Sequence, residues 1–326
     1  MAPKTSTNAA RLRQLLARPG PVLLVGAHDA LSARIAERAG FDAIWASGFG
    51  ISATHALPDA NILTMSETLE AAQRMAEAVT CPVVADCDNG FGNAINVMRT
   101  VTQCERAGLA GVCIEDNIFP KRCSFYEGVQ RELTAPHEHA LKIQAAVDAR
   151  TDPDFVVIAR TEAFIAGRTK DEALERARAY ADAGADAVLV HSKSDSFEEL
   201  REFAAAWDRS SSCVLVAVPT TYEGTSAGEL FAAGFKVVVF ANQALRAAVR
   251  AMQDAMMALR REVRPAAVRD SIASLSDIYG LVGVKELKES EERFLPRPDP
   301  SPVANRDENN HHGEPAGDGI QMTSKL

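Results

Sequence analysis

The apolar positions along the chain fall into two alternating signatures. Short runs rich in Val, Ile and Leu recur at 22–26, 43–47, 82–86, 110–115, 155–160, 187–191, 213–219 and 237–242. Runs this short and this continuously apolar are the pattern of strands buried on both faces. Between them lie Ala-rich segments at 31–39, 66–78, 95–107, 138–149, 171–183, 197–207 and 227–233, with apolar residues at helical spacing. Several stop at a glycine just ahead of the next strand, as in Ala39-Gly40, Ala107-Gly108, Ala183-Gly184 and Ala233-Gly234. A glycine there supplies the left-handed residue that closes a helix.

Eight strands alternating with helices pair in parallel, because each crossover needs a helix. No GxGxxG follows the first strand, and polar residues cluster at many strand ends, not at one switch point. The expected fold is therefore α/β, a closed (β/α)8 TIM-type barrel over residues 20–295. Residues 1–19 form an N-terminal arm. An extra C-terminal helical region comprises Gln243–Glu262 and 268–294. The first of these helices carries Leu245, Val249, Met252, Met256 and Leu259 on one stripe, which either covers its own barrel or meets another subunit. Residues 296–326 are rich in Pro, Asn, Asp and Gly and are expected to be a disordered tail, with His311 and His312 as solvated bystanders.

Composition narrows the function more than the fold. At 326 residues, 47% hydrophobic and 24% charged, the chain is ordinary for a globular protein. A net charge of −9 argues against nucleic acid or an anionic membrane as partner, so a small molecule is expected. No leader-like apolar run opens the chain, and none reaches the roughly eighteen residues of a membrane span, which makes the cytoplasm the expected location. The six cysteines form no CxxC pair, so neither a disulfide framework nor a zinc site is expected.

In such barrels the C-terminal strand ends carry the chemistry. Strand two delivers Trp45, Ser47 and Gly48; strand three, Asp86 and Asp88; strand four, Glu115 and Asp116. Strand five ends in Arg160 and Glu162, strand six in His191 and Ser192, strand eight in Asn242. Three acidic strand ends in succession repel unless a cation offsets them. Oxygen donors without a Cys or His cluster suit Mg²⁺ or Mn²⁺, with Asp86 as direct ligand and Asp88 and Glu115 acting through water. Taken singly, each acid could instead cap a helix. Arg160 reads as a fork for a carboxylate or phosphoryl group, or as half of an ion pair with Glu162 or Glu115. His191 reads as an anion-binding or proton-transferring group, or as a core histidine. The polar insertion 117–133, with Lys121, Arg122, Cys123, Ser124 and Arg131, has the length of a lid.

The segments Asp42-Ala43-Ile44-Trp45-Ala46-Ser47-Gly48, Leu57-Pro58-Asp59 and Asp86-Cys87-Asp88-Asn89-Gly90-Phe91-Gly92-Asn93 resemble the phosphoenolpyruvate mutase family of the isocitrate lyase superfamily. So do Glu115-Asp116, Ile158-Ala159-Arg160, His191-Ser192-Lys193-Ser194 and Pro219-Thr220-Thr221-Tyr222, and the likeness spans roughly residues 20 to 295. It implies a Mg²⁺-dependent isomerase that interconverts phosphoenolpyruvate and phosphonopyruvate, forming a carbon–phosphorus bond for phosphonate biosynthesis. It also implies a homotetramer whose helix after strand eight is exchanged between subunits. By motif match, Trp45, Ser47 and Gly48 hold the pyruvyl part. Asp86, Asp88 and Glu115 serve the metal, Arg160 and His191 meet the phosphoryl group, and Asp59 lies near the transferring phosphorus. Lys121, Cys123 and Ser124 belong to the gating loop.

Two positions depart from the family pattern. Where mutases carry a lysine after Glu-Asp and Asn-Ser later in the lid, this chain has Asn117 and then Cys123-Ser124. Phosphonopyruvate hydrolases carry Thr in place of that Asn. Carbon–carbon lyases of the superfamily carry Cys-Gly-His, whose Gly-His is here Ser124-Phe125. Hydrolase, lyase and a non-catalytic binding protein stand as the alternatives.

Overall fold

The computed structural model describes residues 7–296, apart from 125, 127, 129, 130 and 209. Eight parallel strands close into a barrel in the order of the sequence. They are β1 (Val22–Ala27), β2 (Ala43–Ala46), β3 (Val83–Asp86), β4 (Gly111–Glu115), β5 (Val156–Thr161), β6 (Ala187–Val190), β7 (Val214–Ala217) and β8 (Phe235–Phe240). Preceding them is α1 (Asn8–Ala17), which lies within the segment 1–19 expected as an arm. The outer helices are α2 (Ala30–Arg38), α3 (Gly48–Thr54), α4 (Met65–Ala78), α5 (Ala94–Arg106), α6 (Pro136–Ala149), α7 (Lys170–Asp182), α8 (Glu198–Ala206) and α9 (Ala227–Ala233). After β8 come α10 (Gln243–Glu262), a 3₁₀ turn (Pro265–Ser271) and α11 (Leu275–Val282). The chain through Val282 is one compact unit; α12 (Val284–Phe294) belongs to a second. The expected tail, except Pro296, lies outside the described residues.

Strand parity divides the core into two layers. Leu24, Trp45, Val84, Cys113, Ile158, Leu189, Val216 and Val239 form one buried cluster, and their neighbours Val25, Ile44, Val83, Val112, Val157, Val188, Leu215 and Val238 form another with the helices. The first cluster fills the barrel; the second lies beneath the helical ring. Leu12 of α1 joins the inner cluster, with Leu15 and Leu16 packed against it, so α1 closes the barrel at its N-terminal end.

Helix starts follow from local chemistry. Thr64 with Glu67, Asn93 with Asn96 and Ser226 with Glu229 form reciprocal caps that satisfy the first free amides of α4, α5 and α9. The region 268–294, expected to be helical, holds the end of the 3₁₀ turn, α11 and α12. Gly283 adopts φ +77° between α11 and α12, a conformation open to glycine at little cost. Of the α10 stripe only Leu245 is half-buried; Val249, Met252, Met256 and Leu259 are exposed, so most of the stripe does not cover the barrel.

Candidate active site

The side chains facing into the barrel continue outward at period two. Above Trp45 comes Ser47, above Val84 come Asp86 and then Asp88, and above Cys113 comes Glu115. Above Ile158 come Arg160 and Glu162, and above Leu189 comes His191. Where the apolar filling ends, this series supplies the polar walls of a cavity of about 80 Å³. A space of that size suits a small acid, whereas pockets for drug-sized ligands run to several hundred Å³.

Ten of the twelve expected site residues line that cavity: Trp45, Ser47, Asp59, Asp86, Glu115, Lys121, Cys123, Ser124, Arg160 and His191. Asp88 stands directly behind it, 2.5 Å from the Lys121 ammonium. Gly48 is the close-packed backbone beneath both acids. A Cβ there would lie 3.2 Å from Asp88 Oδ1 and 3.6 Å from Asp86 Oδ2. None of the three strand-end acids caps a helix; Asn93, not Asp88, starts α5. The 117–133 insertion is pinched at its base by an antiparallel bridge between Asn117 and Leu133. It thereby carries Lys121, Cys123 and Ser124 over the mouth.

Two cationic groups organise the acids. Arg160 Nε donates to Glu162 Oε1 at 2.7 Å and lies 3.3 Å from Glu115 Oε2, while its Nη2 donates to Ser124 Oγ at 3.0 Å. Ser124 Oγ donates in turn to Glu162 Oε2 at 2.6 Å, and His191 Nδ1 sits 2.8 Å from Glu162 Oε1. The ion-pair reading of Arg160 is thus met by Glu162 and Glu115 together, on a side chain that also faces the cavity. Across the site, Lys121 Nζ bridges Asp88 Oδ1 and Asp59 Oδ1, at 2.5 and 3.0 Å.

Burial sets the protonation states. It pushes Glu115 up to about 7 and Asp88 up to about 6, against the pull of Arg160 and Lys121. Burial also works against charge on Lys121, but Asp88, Glu115 and Asp59 outweigh it and hold that ammonium firmly protonated. Glu162 is driven well below the usual carboxylate range because Arg160 and His191 overcome its desolvation. His191 is lowered by burial and by Arg160.

Five carboxylates (Asp59, Asp86, Asp88, Glu115 and Glu162) surround two buried cations. Among the described residues, no three His, Cys, Asp or Glu side chains form a ready-made ligand cluster, because Lys121 and Arg160 already hold most of the acids. Asp86 is the loosest of them, its nearest cation being Arg160 Nη1 at 3.9 Å. One accessible carboxylate amid a surplus of buried negative charge fits a hard divalent cation, which commonly takes one or two carboxylates and fills its sphere with water and substrate oxygens.

Two supports, Asp116 and Glu162, were named at strand ends without the roles the structure gives them. Asp116 accepts from Thr161 Oγ1 (2.9 Å), Tyr180 OH (2.8 Å) and the Glu162 amide (2.8 Å), fixing the β5 end beneath Arg160. Glu162 itself was foreseen only as an ion-pair partner. The inward series 158, 160, 162 was the signal that could have promoted it.

A family model described as phosphoenolpyruvate phosphomutase matches residues 12–260. The phosphoenolpyruvate phosphomutase of Streptomyces hygroscopicus is 41% identical over 296 residues, covering 90% of this chain and 94% of that protein. The crystal structure of phosphoenolpyruvate phosphomutase from Streptomyces platensis subsp. rosaceus superposes with a TM-score of 0.86 at 52% identity, covering 88% of this chain and 99% of that one. A phosphonopyruvate hydrolase in complex with oxalate and Mg²⁺ follows at a TM-score of 0.84 and 40% identity, covering 89% and 100%.

Proposed function

This chain belongs to the phosphoenolpyruvate phosphomutase family, and within it we propose that it interconverts phosphoenolpyruvate and phosphonopyruvate. One observation carries the reading: Arg160, His191 and Ser124 gather on Glu162 in the wall of a small cavity, and Asp86 and Glu115 line the same cavity next to Arg160, with Asp88 behind them. Phosphoryl transfer through a loose transition state needs placement and nearby positive charge more than a strong nucleophile. Among solved structures the mutase is more alike than the hydrolase, at 52% against 40% identity, which supports the isomerase, while the curated mutase and hydrolase relatives are level at 41% and 42%.

Trp45, Ser47 and Gly48 receive the pyruvyl end. Arg160 donates to the phosphoryl oxygens, and Glu162 holds its fork and the His191 ring in fixed orientation. Asp59 and Lys121 lie next to the migrating group. The Lys121–Ser124 segment keeps water from a group that water would capture. Asp86, with Asp88 and Glu115 behind it, would hold Mg²⁺. When bound, that ion supplies Lewis-acid stabilisation of enolate charge on the pyruvyl oxygens. The exposed Met stripe of α10 supports a homo-oligomer, a tetramer with this helix exchanged between subunits.

The alternative reading, phosphonopyruvate hydrolysis, rests on Cys123, since a thiol is a weaker hydrogen-bond donor than an amide and holds a transferred group less firmly. Followed by ³¹P NMR with Mg²⁺, phosphonopyruvate should convert to phosphoenolpyruvate without free phosphate. Release of phosphate with pyruvate would transfer the assignment to the hydrolase. Cys123→Asn should leave product as phosphoenolpyruvate, and Cys123→Thr should raise the phosphate fraction. An unchanged ratio in both would remove Cys123 from the account.

A further inference from the structure

We infer that Asn61 is a positioning residue, a latch that fastens the backbone of the lid segment at Lys121 to the β3 end at Asp88. Asn61 lies two residues beyond Asp59 in the turn before α4, and its side chain reaches three partners. Its Oδ1 accepts from the Lys121 backbone amide at 2.6 Å and from Asn89 Nδ2 at 3.2 Å. Its Nδ2 donates to Asp88 Oδ2 at 2.7 Å. Lys121 closes the circuit from the other side, with Nζ 2.5 Å from Asp88 Oδ1.

The partners fix the orientation of the amide. Turned over, its NH₂ would face the donors of Lys121 and Asn89, and its oxygen would face a carboxylate. The turn itself is strained in a way that serves this contact. Asn61 sits at φ +53° and Asp88 at φ +51°, a left-handed region that Asn and Asp tolerate better than other side chains. Strained backbone of this kind persists only when its surroundings over-determine it, and here both strained residues belong to the same circuit.

The consequence is a coupling between two parts of the site. Each oxygen of Asp88 is held by a different group, one by the Asn61 amide and one by the Lys121 ammonium, and Asn61 also anchors the main chain from which that ammonium extends. Lid seating and carboxylate orientation therefore form together. The latch rests on the proposed function only in that this cavity is the catalytic one.

Asn61→Gly tests the latch cleanly, since glycine accepts φ +53° while removing all three contacts. Deuterium exchange of peptides covering 118–123 should quicken roughly tenfold, and kcat/KM for phosphonopyruvate should fall roughly 10–100-fold, mainly in kcat. Asn61→Asp keeps the acceptor for the Lys121 amide and loses the donor to Asp88. It should retain the parent's protection at 118–123 and still turn over slowly, a split that a merely structural role does not produce. Exchange or kcat/KM within about twofold of the parent in Asn61→Gly would overturn the assignment. If Asn61→Gly fails to fold, the Asn61→Asp split decides in its place, and parent-like turnover in that variant would count against the latch. A parent chain inert toward both phosphoenolpyruvate and phosphonopyruvate defeats the functional reading alone, and the exchange experiment then judges the latch by itself.

Discussion

At the scale of single residues, Glu162 is the hinge of the site's electrostatics. Fully buried, it accepts from Arg160 and Ser124 and faces His191, so its charge fixes three groups that would otherwise drift. Removing one member of a buried pair leaves the other charge uncompensated, which costs about 3–5 kcal/mol. Glu162→Gln should fall at the lower end, about 3 kcal/mol by denaturant titration, because Glu115 stays beside Arg160 at 3.3 Å. Its kcat should drop by more than its KM rises, as expected when orientation is lost and contact retained. A variant with parental stability and turnover would show that Arg160 is held by Glu115 alone.

At the scale of elements, the contact between α6 and α7 holds a buried titratable group that should contribute to acid sensitivity. His139 on α6 stacks edge-on against Tyr180 of α7 at 4.6 Å, and burial drives it down to about 3. The unfolded chain binds its proton near 6.5, so between about 6.5 and 3 the unfolded state carries more protons and stability falls as pH falls, by about 1.4 kcal/mol per unit. His139→Phe should flatten that part of the pH–melting curve while leaving the neutral-pH value close to the parent's. An equal slope in both proteins would place the acid sensitivity elsewhere. Elements also mark how far sequence reasoning reaches. Strands such as 110–115 and 155–160 were readable because burial on both faces writes an uninterrupted apolar run, and their ends placed Glu115 and Arg160 correctly. By contrast α3 has no counterpart among the expected helices, since seven residues with glycine at two of the first three positions carry no periodicity; in the structure Ser47 caps it by accepting from the Gly50 amide. Asn61 was missed because its partners lie 60 and 27 residues away, and no local pattern encodes a contact made by the return of a distant loop.

At the scale of the whole molecule, two surfaces answer to different tests. The exposed apolar residues of α10, Met252 and Met256 among them, are costly for a protein to leave in water. Met252→Lys combined with Met256→Glu should convert the proposed tetramer to smaller species in light scattering; unaltered mass would exclude this stripe from the interface. At the opposite end of the barrel, α1 inserts Leu12, 2% exposed, beneath the inner cluster. Leu12→Ala should cost about 2–5 kcal/mol, read as a lowered melting temperature with KM unchanged. With that floor plugged by α1, molecules come and go on the side where Lys121, Arg122, Cys123 and Ser124 line the cavity. A product that dwells there stands in the path of the next molecule.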